Sequence, residues 1–200
     1  MKLIKLYKAG GLYRIIQEIL NLFFDLNFGV ETRKRKIYNS TEFFDYMPSY
    51  KKTVTNALLY LKKNYQLKHY NFLDIGCGKG KTMILASKYS FKQITGYEID
   101  KDVFSVLKKN INQKKFRNFK VYNKSIKISE IENNSVIYFY NPFNEELSKR
   151  LFDEISINTL LEDIILIYVN PIYSFELEKA GWKLLSSSKV STQKTEIWKL

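Results

Sequence analysis

The eleven residues Phe72-Leu73-Asp74-Ile75-Gly76-Cys77-Gly78-Lys79-Gly80-Lys81-Thr82 constrain this chain more than any other segment. A short apolar run carrying one acid enters three glycines at alternate positions, and a helix-compatible stretch follows. Glycines at such a corner let the backbone turn sharply and approach a ligand with no side chain between. From Phe72 onward, short apolar runs alternate with amphipathic stretches, the pattern of a parallel α/β sheet. The spacing predicts strands near 72–76, 94–98, 119–122, 135–140 and 164–169, and helices near 80–90, 101–113 and 145–157. Trp182 to Ser187 and Thr192 to Leu200 are two strand-like runs with no helix between them, which a β-hairpin closing the sheet explains.

The first third reads differently. Leu3, Leu6, Tyr7, Ile15, Ile16, Ile19, Leu20, Phe23 and Phe24 approximate helical spacing, broken at Gly10-Gly11. Helices packed on the main domain are the first reading, and a helix lying on a membrane surface is the second. Residues 28–50 look irregular. They hold Phe28-Gly29-Val30-Glu31-Thr32, the basic run Arg33-Lys34-Arg35-Lys36, and an aromatic-rich stretch containing Phe43, Phe44, Tyr46 and Tyr50. A helix with Val54, Leu58, Leu61 and Tyr65 on one face follows. The division expected is an N-terminal helical cap, 1–65, and a core, 66–200.

At 200 residues, 45% apolar and 16% aromatic, the chain can bury a core, and wholesale disorder is excluded. Thirty-three Lys and Arg against 20 Asp and Glu give +13, which suits an acidic partner. Arg, the residue favoured for planar phosphate recognition, is scarce among those cations, so a compositional bias toward Lys, Ile and Asn explains the excess equally well. The cap carries 12 cations and 5 acids, and the core 21 and 15. The cap is thus the more basic part per residue, and its run from Arg33 to Lys36 is either a solvated face or a phosphate contact. Cys77 is the only cysteine and His69 the only histidine. A disulfide framework, a cysteine-based zinc cluster and a site of several imidazoles are therefore excluded, and no metal is expected. No stretch nears the roughly 20 apolar residues of a membrane span, and no signal-peptide block is present, so a cytoplasmic protein is expected.

The glycine loop has a partner. Gln93-Ile94-Thr95-Gly96-Tyr97-Glu98 ends in an acid 22 positions after Gly76, the distance at which a carboxylate reaches the ribose hydroxyls of an adenosine. The glycine spacing is G-x-G-x-G, not the G-x-G-x-x-G of dinucleotide sites, and the P-loop pattern is absent. Asp74 beside the loop would repel a pyrophosphate and suits a ligand with a cationic end, such as the ammonium of a methionine moiety.

Here the chain resembles the class I S-adenosylmethionine-dependent methyltransferases. Leu73 to Gly80 looks like their first motif and Gly96-Tyr97-Glu98-Ile99-Asp100 like their second. The closer likeness is to a group of small bacterial members with an upstream Phe-Gly-Val-Asp-Thr-like stretch, here Phe28 to Thr32, and an Asn-Pro-Phe turn, here Asn141-Pro142-Phe143. The resemblance implies a doubly wound, mostly parallel, seven-stranded Rossmann-like sheet with a C-terminal antiparallel hairpin. S-adenosylmethionine is the implied cofactor and S-adenosylhomocysteine the product. Asp74, Gly76, Cys77, Gly78 and Gly80 would frame the methionine half, and Glu98 the ribose. The third motif, usually acidic, reads Tyr122-Asn123-Lys124-Ser125-Ile126, which leaves Ser125 or backbone for the adenine.

Asn141 ends the fourth predicted strand, where open α/β sheets bind ligands, and is the first candidate for a catalytic or cofactor-lining role. A plain turn with Asn144 capping a helix that opens Glu145-Glu146 accounts for the same residues. Asn170-Pro171 ends the next strand similarly. Tyr50 is the second catalytic candidate, with His69 and Glu145 as other bases. Cys77 reads as a small residue accommodated in the loop. Transfer from a sulfonium needs mainly in-line placement, because the leaving group is already activated. The expected acceptor is a small molecule or glycan, anionic in view of the basic cap. The alternatives are RNA, DNA or protein, or a cofactor-binding module without transfer.

Overall fold

A computed structural model describes residues 11–33, 47–113, 118–141, 143–158 and 160–200. Lys34 to Lys36, Phe43, Phe44, Tyr46 and Pro142 lie outside the described residues. The chain runs α1 (Gly11–Phe28), α2 (Lys51–Asn64), β1 (Asn71–Ile75), α3 (Lys81–Ala86), β2 (Gln93–Tyr97), α4 (Lys101–Gln113) and β3 (Phe119–Tyr122). It continues through β4 (Ser135–Phe139), α5 (Glu145–Ile157), β5 (Ile164–Val169), α6 (Ser174–Lys179), β6 (Lys183–Val190) and β7 (Gln193–Lys199).

All seven strands join one sheet in the order β3-β2-β1-β4-β5-β7-β6. β1 pairs in parallel with both β2 and β4, and β7 is antiparallel to β5 and to β6. The expected doubly wound sheet with its terminal hairpin is therefore observed. Strand burial follows position: β1, β4 and β5 are buried on both faces, and β3, at the edge, alternates. Successive β1 side chains feed opposite sides of the sheet. Phe72 joins a cluster with Met83, Ile94 and Ile165, while Leu73 and Ile75 join one with Phe139, Phe152 and Trp198.

The helices follow the sequence with two exceptions. The predicted helix 80–90 is shorter, ending at Ala86, where the Ser87 hydroxyl donates to the Ile84 carbonyl and competes with the helical ladder. α6 was not predicted. It has six residues and buries only Glu176 and Leu177, too few positions to show a period. α5 is capped as expected, the Asn144 side chain accepting from the Leu147 amide at 3.1 Å.

α2 buries Val54, Leu58 and Leu61 in the same cluster as Phe72. α1 begins at Gly11 and docks largely through polar groups. Asp25 accepts from the Thr32 amide and hydroxyl and from the Arg33 Nε, closing the turn at Gly29.

Candidate functional site

The order in which the chain adds strands reverses between β1 and β4, and the crevice at such a switch point, outside the strands' carboxyl ends, is where open α/β sheets hold ligands. A cavity of about 540 Å³ lies there, within the range of small-molecule sites. Asp74, Gly76, Cys77, Glu98, Ser125 and Asn141 all line it. Gly78 and Gly80 lie behind them and shape the loop, and Tyr50 does not reach the wall.

The loop owes its form to three glycines at positive φ, 73° at Gly76, 55° at Gly78 and 85° at Gly80. At Gly80 a Cβ would meet the Leu107 Cδ1 at 2.5 Å, so glycine is required both for the turn and for the approach of α4. The Gly76 and Cys77 amides donate to the Tyr97 carbonyl, and the Gly78 amide donates to the Glu98 carboxylate at 2.9 Å. The other Glu98 oxygen accepts from the Asp100 amide at 2.9 Å. Glu98 is thereby held against the glycine loop, each oxygen retaining acceptor capacity for a ligand hydroxyl. Burial raises its pKa, and the backbone hydrogen bonds oppose that rise.

Asp74 is 2% exposed, and its Oδ2 has no hydrogen-bond partner among the described residues. Burial first, then the negative charge of Glu98, pushes its carboxyl well above the usual carboxylate range. A buried acid with an unsatisfied oxygen in a cavity wall fits a cationic ligand group, and the ammonium of a methionine moiety is one.

Cys77 is buried, and burial followed by the charges of Asp74 and Glu98 raises its thiol pKa strongly, so the sulfur is neutral. It packs beside Gly96, where a Cβ would come within 2.8 Å of the Cys77 Sγ and 2.5 Å of the Met83 Sδ. Ser125 sits exposed in the loop after β3. Asn123 binds that loop to the end of β2, its amide donating to the carbonyls of Glu98 and Ile99.

Asn141 is buried at φ 42°, and its Oδ1 accepts from the Tyr168 hydroxyl at 3.0 Å. That hydroxyl in turn accepts from the Tyr173 amide. The Asn141 amide nitrogen makes no hydrogen bond among the described residues, which leaves two donors on the wall. Tyr50 caps α2, and its backbone amide donates to the Gln193 Oε1 at 3.1 Å. The Gln193 amide donates in turn to the Tyr140 hydroxyl at 2.8 Å. His69, exposed in a short turn before β1, and Glu145, exposed at the start of α5, are not brought to the cavity. Among the described residues no group of three or more His, Cys, Asp or Glu is placed to hold a metal ion.

Two features of the site carry no local sequence signal. Lys81 is buried in the cavity wall, its ammonium donating to the Asn21 Oδ1 and, at 2.7 Å, to the Ser49 carbonyl. Burial pushes its pKa down to about 8. Ser49 also shares a 2.7 Å hydrogen bond with the Tyr138 hydroxyl. On the far side of the loop, Lys79 pairs with Glu31 at 2.8 Å, and the Asn110 amide donates to the carbonyls of both. The stretch from Phe28 to Thr32 thus seats on the back of the glycine loop, a role its sequence motif hinted at without locating.

A methyltransferase domain family model matches residues 66–151. A search of curated proteins found no match to the chain. Among solved structures, a methyltransferase from Pyrococcus furiosus is 20% identical with a TM-score of 0.60, covering 91% of this chain and 95% of its own. The magnesium protoporphyrin IX methyltransferase of Synechocystis PCC 6803, with bound S-adenosylmethionine, is 13% identical with a TM-score of 0.60, covering 74% and 78%. An RNA methyltransferase of Salinibacter ruber, in complex with S-adenosylhomocysteine, is 16% identical with a TM-score of 0.58, covering 76% and 93%. At these identities the structural likeness speaks to fold, and the family model adds the activity. The glycine loop and its acidic partners lie inside the matched methyltransferase domain, residues 66–151, and the sheet has the fold of the S-adenosylmethionine-dependent methyltransferases.

Proposed function

We propose that this methyltransferase acts in the cytoplasm on a small-molecule or glycan-type acceptor carrying an anionic group. The observation that carries this reading is the shape of the cavity. The wall that holds the cofactor groups continues into Pro48 and Ser49 on one side and Tyr140, Asn141, Phe143 and Ile172 on the other. A recessed cavity with walls on both sides suits a small acceptor that enters whole. We read the described residues of the segment 1–65 as a cap on the core 66–200, and the net positive charge of the segment's sequence as what draws the acceptor in.

Within the site Asp74 holds the ammonium of the cofactor, Glu98 the ribose hydroxyls, and Ser125 or neighbouring backbone the adenine. Gly76, Cys77, Gly78 and Gly80 give the loop its close approach. The cofactor supplies a methyl group already activated on a sulfonium. The chain's share of the chemistry is therefore placement and exclusion of water. Asn141 offers its two amide hydrogens to cofactor or acceptor, oriented by Tyr168. Tyr50 positions the acceptor side through Gln193 and Tyr140.

A methyl-transfer screen comparing sugar nucleotides and polysaccharide precursors with RNA tests this reading. Label on the sugar-containing precursors is the expected result. Label on RNA alone would replace it with the second reading, which the +13 charge favours. Calorimetric titration with S-adenosylmethionine and NAD separates both from a failure of the cofactor assignment.

A further inference from the structure

Helix α1 is amphipathic in the inverted sense. The face it turns toward the rest of the chain carries Gln17, Asn21 and Asp25, all buried, together with Phe24. Two of these polar groups are hydrogen-bonded there, Asn21 with Lys81 and Asp25 with Thr32 and Arg33. The opposite face carries Leu12, Ile16, Ile19, Leu20, Phe23 and Leu26, each between 42% and 68% exposed. Leu12, Ile16, Ile19, Phe23 and Leu26 follow one another at steps of four and three, so they form a single stripe, with Leu20 beside it. A surface helix in water does the reverse. A contiguous apolar stripe of this size marks a contact with a second apolar phase.

Charge selects the phase. Lys2, Lys5 and Lys8 precede the helix in sequence and Arg33 to Lys36 follow it, and residues 1–36 hold eight cations against three acids. A second copy of the chain would bring the same positive excess against itself, whereas anionic lipid headgroups neutralise it and admit the stripe to the acyl boundary. The helix is not a span: among the described residues no helix is long and apolar enough to cross a membrane. We propose that α1 docks this enzyme on an anionic phospholipid surface, lying in the plane of the interface with its Leu12-to-Leu26 stripe inserted. The inference goes beyond the proposed acceptor and does not depend on it. Its geometric consequence is that the cavity, reached from the inner face of α1 through Lys81, lies about one helix diameter, ~10 Å, from the headgroups.

Co-sedimentation of the full chain with vesicles of phosphatidylcholine, alone or mixed with phosphatidylglycerol, tests the proposal. The chain is expected to pellet with the mixed vesicles and about tenfold less with the neutral ones, the difference shrinking as salt is raised. Phe23→Asn and Leu26→Asn should each weaken binding to mixed vesicles by about tenfold or more. Both side chains are exposed, so circular dichroism and S-adenosylmethionine affinity should stay unchanged and report that the fold is intact. Three results would overturn the proposal: no pelleting of the unaltered chain with mixed vesicles, pelleting that Phe23→Asn leaves untouched, or a dimer by sedimentation velocity that Phe23→Asn dissociates.

Discussion

The ammonium of Lys81 rests 2.7 Å from the carbonyl oxygen of Ser49, inside the wall of the candidate cavity. The bond spans 32 residues and ties the start of α3 to the segment entering α2. A second bond from the same nitrogen reaches Asn21 on α1. One buried cation therefore fixes two pieces of the N-terminal third against the glycine loop, at the cost of desolvating a charge.

That cost is readable in pH. Burial lowers the Lys81 pKa from 10.5 to about 8, below its value in the unfolded chain. The penalty is fully present below about pH 8 and is relieved as pH rises from there to 10.5. Relative to Lys81→Met, the unaltered protein should gain about 3 kcal/mol of stability across that window. Denaturant unfolding of both proteins measures it. The comparison with the variant cancels the tyrosines that titrate in the same range.

Asp74→Asn removes the negative charge without changing the shape of the wall. S-adenosylmethionine affinity should fall about 10- to 100-fold, the loss of one charge-assisted hydrogen bond. Affinity for 5′-methylthioadenosine, which has no ammonium, should hardly change. Equal losses for both ligands in calorimetry would show that Asp74 acts on the loop and not on the ammonium. The free protein should respond with the opposite sign. Because the Asp74 pKa is raised in the folded state, stability is lost as pH climbs above the ordinary carboxylate range, and the variant should lose less.

Gly80→Ala should destabilise the fold by about 1–3 kcal/mol, since a Cβ there has both a φ of 85° and the buried Leu107 against it. Thermal unfolding measures the loss. Cys77→Ala, one turn of the loop away, should keep both cofactor binding and transfer, because the neutral buried thiol supplies only packing.

Tyr168→Phe removes the hydroxyl that orients the Asn141 amide, while the ring remains packed against Phe139 and Phe152. Turnover should fall about tenfold with cofactor affinity little changed, whereas Asn141→Ala should impair both. A Tyr168→Phe enzyme with unaltered kcat would show that the amide holds its orientation without that bond.

The central strands β1, β4 and β5 were legible because burial on both faces writes continuous apolar runs, and the loop because Gly76, Gly78 and Gly80 follow from the backbone alone. Asp74 and Glu98 were legible from their distance to those glycines. Lys81 was not, since what makes a lysine tolerable in a cavity wall is Asn21, sixty residues upstream, and the Ser49 carbonyl. The same bond explains why the periodicity of α1 gave a helix but not its orientation: the polar face had a buried cation to meet. Tyr50 was singled out as a side chain, yet the contact that links it to the site is made by its backbone amide with Gln193. Backbone contacts of that kind leave no trace in residue identity.

The position of β7 carries a consequence for biosynthesis. In the sheet β6 neighbours only β7, and β7 itself lies between β5 and β6. A ribosome therefore releases β6 before the one strand that can hold it, and the β5 edge stays open until β7 slots in. Trp198, fully buried on that last strand, closes the core against Leu73, Phe139 and Tyr168 in the same step. Strands β1 to β5 can assemble while the chain is still being made. Completion of the sheet waits for its latest strand, the interval in which an exposed β5 edge most needs protection from other chains.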